Sequence, residues 1–267
     1  MSALRVISYG GGVQSTAMIV LATQGKIDAD LAVFANVGPH SESTHTLAYL
    51  PHITAWAAER GVSIVERRWV DRTGRARDLY DDLVGDNRTI PIPVYMAGGA
   101  PGRRQCTARY KIEVVGRYLR ELGATADNPA VVHVGISTDE WQRVNTRRAQ
   151  PWEIPTYPLI ELGLSRQDCA NIITEAGLPV PGKSSCWFCP FRGPRRWAED
   201  RRDRPEQFAA GVALEERLNE KRATLSKDPV FLTPTLRPLA DLVEAQPELF
   251  PTGTFNDGEC DEGYCWT

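Results

Sequence analysis

Two groups of residues in this 267-residue chain combine types and spacings that could do chemistry. The first is Cys186-Trp187-Phe188-Cys189-Pro190. Two thiols three positions apart can ligate one metal ion or cluster, and Pro190 ends the local turn. The spacing also suits a redox dithiol, but no thioredoxin-like pattern surrounds it. A metal needs at least one more ligand. Cys106, within Arg104-Gln105-Cys106-Thr107-Ala108-Arg109-Tyr110-Lys111-Ile112 at the start of a helical pattern, is the leading candidate. The second group is Arg5-Val6-Ile7-Ser8-Tyr9-Gly10-Gly11-Gly12-Val13-Gln14-Ser15-Thr16, a short apolar strand running into three glycines, a hydroxyl pair and an apolar helical pattern. Glycines at such a junction let a ligand approach the backbone, and the N–H groups of the following helix favour an anion. The stretch therefore proposes a phosphate site, with a plain strand-to-helix turn as the alternative. A side chain at Gly11 is expected to fill the phosphate space. No Gly-Lys-Ser/Thr follows, so it is not a Walker loop, and the dinucleotide spacing fails as well.

Other residues are weaker candidates. Arg192, Arg195, Arg196, Arg201, Arg202 and Arg204 fall within thirteen residues, and Arg103 and Arg104 precede Cys106. Such runs are either solvated helix faces or anion sites, because guanidinium forks match phosphate geometry. Arg109, Lys111 and Arg192 are the candidate phosphate contacts, with Asp139 at a strand end beside Glu140. That acidic pair could equally complement a helix N-terminus. The tail Glu259-Cys260-Asp261-Glu262-Gly263-Tyr264-Cys265 carries two thiols that could act as a fourth ligand or a nucleophile, or belong to a frayed end. Cys169 reads as a buried helix thiol. His40, His45 and His52 do not share a helical face, and His133 sits inside an apolar strand as a core residue. No Ser/His/Asp set with recognisable spacing exists.

Net charge is −3, which excludes a global basic field for nucleic acid. No apolar run approaches a membrane span, and no signal peptide opens the chain, so a cytoplasmic protein is expected. Six cysteines in that compartment argue for metal or redox chemistry over a disulfide framework.

The elements that must position these groups alternate. Strands are expected at residues 4–8, 31–36, 62–66 and 131–136, and helices at 13–24, 43–60 and 109–122. Continuous apolar strands alternating with helices predict an α/β fold, a parallel sheet with helices on both faces. Residues 85–104 read as a long Gly/Pro-rich loop. Further helices are expected at 165–176, 205–225 and 236–244. The division expected is a nucleotide-binding domain over 1–150 and a smaller cysteine-bearing helical region over 151–267. Three strand ends converge on the side where such sheets bind ligands: the glycine loop, Asn36-Val37-Gly38 with Glu42 nearby, and Gly135-Ile136-Ser137-Thr138-Asp139-Glu140.

Gly10-Gly11-Gly12-Val13-Gln14-Ser15 resembles the S-G-G-x-D-S loop of the PP-loop ATP pyrophosphatases. Gly10 stands for the usual Ser, with Ser8 two residues upstream. Gln14 stands for the usual Asp and is similar to the branch containing the phosphoadenosine phosphosulfate (PAPS) reductases. The resemblance implies a Rossmann-like fold in which Ser8, Gly10, Gly11, Gly12, Gln14, Ser15, Asn36 and Gly135 cradle ATP or an adenine sulfonucleotide. Mg2+ is a candidate cofactor, although the loop's neutral amide is a poorer ligand for a hard cation than the usual carboxylate. The Cys106 segment resembles the C-C-x-x-R-K segment of sulfonucleotide reductases, with Gln105 in place of the first cysteine. The resemblance implies that Cys106, Cys186 and Cys189 hold a [4Fe–4S] cluster, with zinc as the competing metal. It implies catalytic roles for Cys260 and Cys265. Two activities follow: ATP-dependent sulfur transfer to a nucleobase or tRNA acceptor, fed by a sulfur donor such as a cysteine desulfurase, or reduction of a sulfonucleotide to sulfite. A nucleotide-binding module with a structural zinc is the non-enzymatic alternative.

Overall fold

The computed structural model describes residues 3–86, 88–144 and 150–242. Elements follow in chain order as β1 (Arg5–Tyr9), α1 (Val13–Thr23), β2 (Leu31–Asn36), α2 (Thr44–Ala58), β3 (Ile64–Arg68), α3 (Leu79–Val84), β4 (Tyr95–Met96) and α4 (Gln105–Thr107). A π-turn, Ala108–Ile112, leads into α5 (Glu113–Glu121) and β5 (Ala130–Val134). Then come β6 (Glu153–Thr156), α6 (Pro158–Glu161), α7 (Arg166–Glu175), α8 (Pro194–Asp203), α9 (Pro205–Ala223) and β7 (Val230–Phe231).

The chain divides into two compact units. Among described residues, the first comprises the chain up to Arg77 together with Thr107–Ser185, and the second Asp78–Cys106 together with the chain from Cys186. This division differs from the expected boundary at residue 150, because β6, α6 and α7 join the first unit.

The first unit is α/β. Its five strands are all parallel, in the order β3-β2-β1-β5-β6. Period-two alternation buries both faces. Ile7, Tyr9, Ala32 and Phe34 face one core with α1, α2 and α7, while Val6, Val33, Val132 and Val134 face the other with α5. Helix α1 is buried from Val13 to Leu21, polar over Gln14, Ser15 and Thr16 and apolar on every side from Ala17 to Leu21, and it packs on α7. Burying side chains such as Ile19 and Leu21 contributes about 1.5–3 kcal/mol each. The expected helix over 109–122 opens as the π-turn, a wide turn often found at functional sites.

In the second unit β4 pairs antiparallel with β7. Glu215 of α9 is buried and accepts the backbone N–H of Leu232 (2.7 Å) and Leu239 (2.6 Å). The helix expected over 236–244 is, among described residues, only the single 3-10 turn Leu239–Asp241. Leu236 adopts a left-handed φ of +56°, and Pro238 has no N–H to give, so no longer helix starts there. Among the described residues, no helix is long and apolar enough to cross a membrane.

Candidate functional site

In the first unit the order of strands reverses between β1 and β5. The crevice beyond their carboxyl ends is the position at which open α/β sheets bind ligands. The glycine loop leaves β1 at that point, and Gly135 follows β5 beside it. Ser15 fixes the loop by accepting the N–H of Gly10 (3.2 Å) and donating to the carbonyl of Gly12 (3.2 Å). Gly11 has φ of +79°. A Cβ there would lie 2.9 Å from Thr46 Cγ2 and 3.6 Å from Phe34 Cε2. A side chain at Gly11 would thus enter the packed interior, not the phosphate space, which corrects the expectation above.

Gly12, the residue before α1, offers no side-chain cap, and the first turn of the helix has no acidic residue. Helix α7 is treated in the opposite way. Ser165 and Asp168 form a full capping box at its start, and Asp139 accepts the N–H of Arg166 at 2.5 Å. The N–H groups at the positive end of α1 have no side-chain cap among the described residues, as is also true of α2, α8 and α9.

Gln14 is fully buried, with its amide held at both ends. Nε2 donates to Glu140 Oε2 (3.1 Å), and Oε1 accepts from Arg166 (2.9 Å). Arg143 pairs with the other oxygen of Glu140 at 2.6 Å. Residues 126 and 152 positions away in sequence thus orient the first turn of α1. Sequence reading identified Gln14 but missed Arg143 and Arg166, for which no local pattern signals a role. Asn36 donates to Glu66 (2.8 Å) and accepts from the N–H of Gly38 (2.7 Å), while Glu42 accepts from Val37, so these residues shape the turn after β2. Ser8 is buried within β1. Arg109 is exposed and lies over the Trp69 ring at 5.3 Å, and Lys111 occupies the same π-turn.

No family model matches this chain, and no curated protein matches it.

The second unit carries Cys106, Cys186 and Cys189, all half-buried and none in a disulfide. Cys189 donates its N–H to the carbonyl of Cys186 (3.1 Å), and Arg192 donates to that of Cys189 (3.0 Å), so the C-x-x-C folds as consecutive turns. The N–H of Cys106 is anchored on Pro91 at 2.7 Å. Two residues before Cys106, the Arg104 guanidinium lies 4.9 Å from the Phe191 ring, two residues beyond Cys189. Tyr95 packs edge-on against Phe191 and has its pKa raised, first by burial and then by the nearby Cys189. These contacts bring the Cys106 segment beside the C-x-x-C turn. Among the described residues, Cys106, Cys186 and Cys189 do not gather as a group within 4.8 Å of one another, so they are a soft donor set by residue type, suited to iron–sulfur or zinc, and not an assembled site. Arg192 is buried, ion-paired to Asp200 and placed over Trp197 at 5.4 Å; Asp200 also takes Arg204. Cys169 is buried in the first unit's core. Cys260 and Cys265 lie outside the described residues.

Proposed function

We propose that this chain is a PAPS reductase-like PP-loop enzyme that transfers sulfur with the aid of ATP, working in the reducing cytoplasm. The uncapped N-terminus of α1, set by a glycine loop at the reversal of strand order, carries the reading. There the phosphates of ATP would meet the backbone N–H groups of α1. An acceptor oxygen would attack the α-phosphorus and release pyrophosphate, and sulfur would then displace AMP. Cys106, Cys186 and Cys189 would hold the metal centre, a [4Fe–4S] cluster or zinc. Bound iron–sulfur would supply a carrier for sulfide.

Reduction of a sulfonucleotide is the second reading, and Gln14 favours it. Its amide is engaged by Glu140 and Arg166, and a neutral amide recruits a hard cation less well than a carboxylate does. Anaerobic purification with iron, sulfide and zinc analysis, followed by assays for pyrophosphate from ATP and sulfite from PAPS, separates the readings. A colourless protein with no nucleotide affinity in calorimetry sinks both.

A further inference from the structure

The second unit contains a cavity of about 340 Å³ between the β4–β7 pair and the end of α9, lined entirely by residues of that unit. Its rim carries Arg88, Arg103, Lys221, Arg222 and Lys227, and among its described lining residues there is no carboxylate. An adjoining cavity of about 380 Å³ shares Arg88 and Lys221 with the first and adds Asp86, Arg217 and Glu220, whose charges are taken up among themselves, Arg217 pairing with Asp86 (3.4 Å) and Glu220 (3.3 Å). In the first cavity Lys221 is tethered to the carbonyl of Leu83 (2.7 Å) and Arg222 to that of Asp228. The side chains of Arg88, Arg103 and Lys227 make no ion pair with any described residue. Three unneutralised cations around one cavity repel each other unless an anion joins them.

We propose that this cavity binds a small ligand carrying at least two phosphate charges. Guanidinium forks match phosphate oxygens, and two of the three uncommitted cations are arginines. The volume falls at the small end of ordinary ligand pockets. The floor is aliphatic, with Ile92, Val94 and Val230, and no aromatic side chain is among its described lining residues. Nucleic-acid strands are generally gripped by base stacking on aromatic rings within a basic groove, and neither the lining nor the net charge of −3 offers that. The same phosphate chemistry could nevertheless come from a strand's backbone, so the test includes both sources.

Titration calorimetry uses inorganic pyrophosphate as the probe, with a twelve-nucleotide single strand as the comparison. Because the glycine loop would also take pyrophosphate, the full chain is measured alone and as Gly12→Asp; the extended backbone of Gly12 (φ −96°, ψ −179°) does not itself require glycine, and the added carboxylate repels phosphate there. The double variant Arg88→Glu/Lys227→Glu changes two exposed side chains, and Arg103→Gln serves as a milder second variant. Arg195→Glu, an exposed cation outside the cavity, is the control. The expected result is a class of pyrophosphate sites weakened at least tenfold by the double variant, and measurably by Arg103→Gln. That class is unchanged in Gly12→Asp and in Arg195→Glu. Pyrophosphate binding that only Gly12→Asp removes, or that the double variant leaves intact, overturns the proposal while leaving the glycine-loop reading standing. Tighter binding of the oligonucleotide than of pyrophosphate, lost in the double variant, overturns the small-ligand assignment.

Discussion

Gln14 Nε2 and Glu140 Oε2 are 3.1 Å apart, joining the first turn of α1 to the segment after β5 across 126 residues. Arg166 on Gln14 Oε1 fixes which end of the amide is which, so the donor must face Glu140. Gln14→Glu would set two carboxylates against each other. One of them would then have its pKa raised in the folded state, so the folded protein would bind more protons than the unfolded chain. The variant is expected to lose about 1–3 kcal/mol at pH 7.5, through the broken hydrogen bond and the unfavourable charge. The loss should shrink as pH falls towards 4.5. Urea unfolding of both proteins at the two pH values measures it, and an equal loss at both would mean that the carboxylates do not interact.

His133 gives a second pH dependence, with the opposite sign. It lies on β5 with Nδ1 2.7 Å from Thr156 Oγ1 and Nε2 2.9 Å from the carbonyl of Asp28. The carbonyl can only accept, so Nε2 carries the proton in the neutral ring. Burial, its largest cause, lowers the imidazole pKa below the ordinary 6.5. The unfolded chain therefore takes up a proton that the folded chain resists. Stability from this group is fully present above pH 6.5 and is lost as pH falls below it. Thermal melts from pH 7.5 to 5 should show a steeper decline for the native chain than for His133→Gln. Parallel declines would remove His133 from the explanation.

Gly211 on α9 has no room for a methyl group. A Cβ there would lie 2.7 Å from Trp197 Cζ3, and Trp197 is fully buried against Phe208 and Arg192. A large ring confined on several sides cannot step back cheaply. Overpacking of this kind costs about 1–3 kcal/mol, against about 1 kcal/mol that alanine regains in helix propensity. Gly211→Ala should therefore lower the unfolding midpoint, with little change in m-value. A midpoint equal to or above the native one would show that the ring moves freely.

Much of the first unit was legible because its strands are buried on both faces and read as continuous apolar runs. β2 is the clearest, and its observed bounds, Leu31–Asn36, match the expected ones. β6, Glu153-Ile154-Pro155-Thr156, offers no apolar run and was not among the expected strands. Pro155 is tolerated there because β6 lies at the edge of the sheet. Helix α8 gave no apolar period at all. It is rich in charge, and it buries only Trp197 and Asp200, so its place depends on one large ring packed on α9 and on the Arg192–Asp200 pair, with no hydrophobic stripe to read. The site follows the same division. Glycines followed by a hydroxyl were visible locally, whereas Glu140 and Arg166 reach Gln14 only after the sheet has formed.

Gly11 provides a further test of how the loop is built. Its φ of +79° and the 2.9 Å approach to Thr46 both exclude a side chain. Gly11→Ala should cost about 1–3 kcal/mol from left-handed strain and crowding together. Thr46→Ser removes Cγ2 and should recover part of that cost. The double-mutant cycle by chemical denaturation reads the coupling. Additive effects would place the penalty in the backbone alone.

The thiols supply the last test. Cys106, Cys186 and Cys189 share the second unit, while Cys169 is buried in the core of the first and serves as an internal control. If the three hold one centre, each of Cys106→Ala, Cys186→Ala and Cys189→Ala should reduce bound metal severely, because the remaining thiolates cannot complete the donor set. The same variants should melt earlier, since metal binding energy is folding energy for the unit that carries the ligands. Cys169→Ala should melt earlier for a different reason, the small cavity it leaves, and keep its full metal content. Metal analysis of anaerobically purified proteins separates the two effects. If Cys106→Ala retains the metal while Cys186→Ala loses it, the Arg104–Phe191 contact is packing alone and the centre draws its further ligands from elsewhere in the chain.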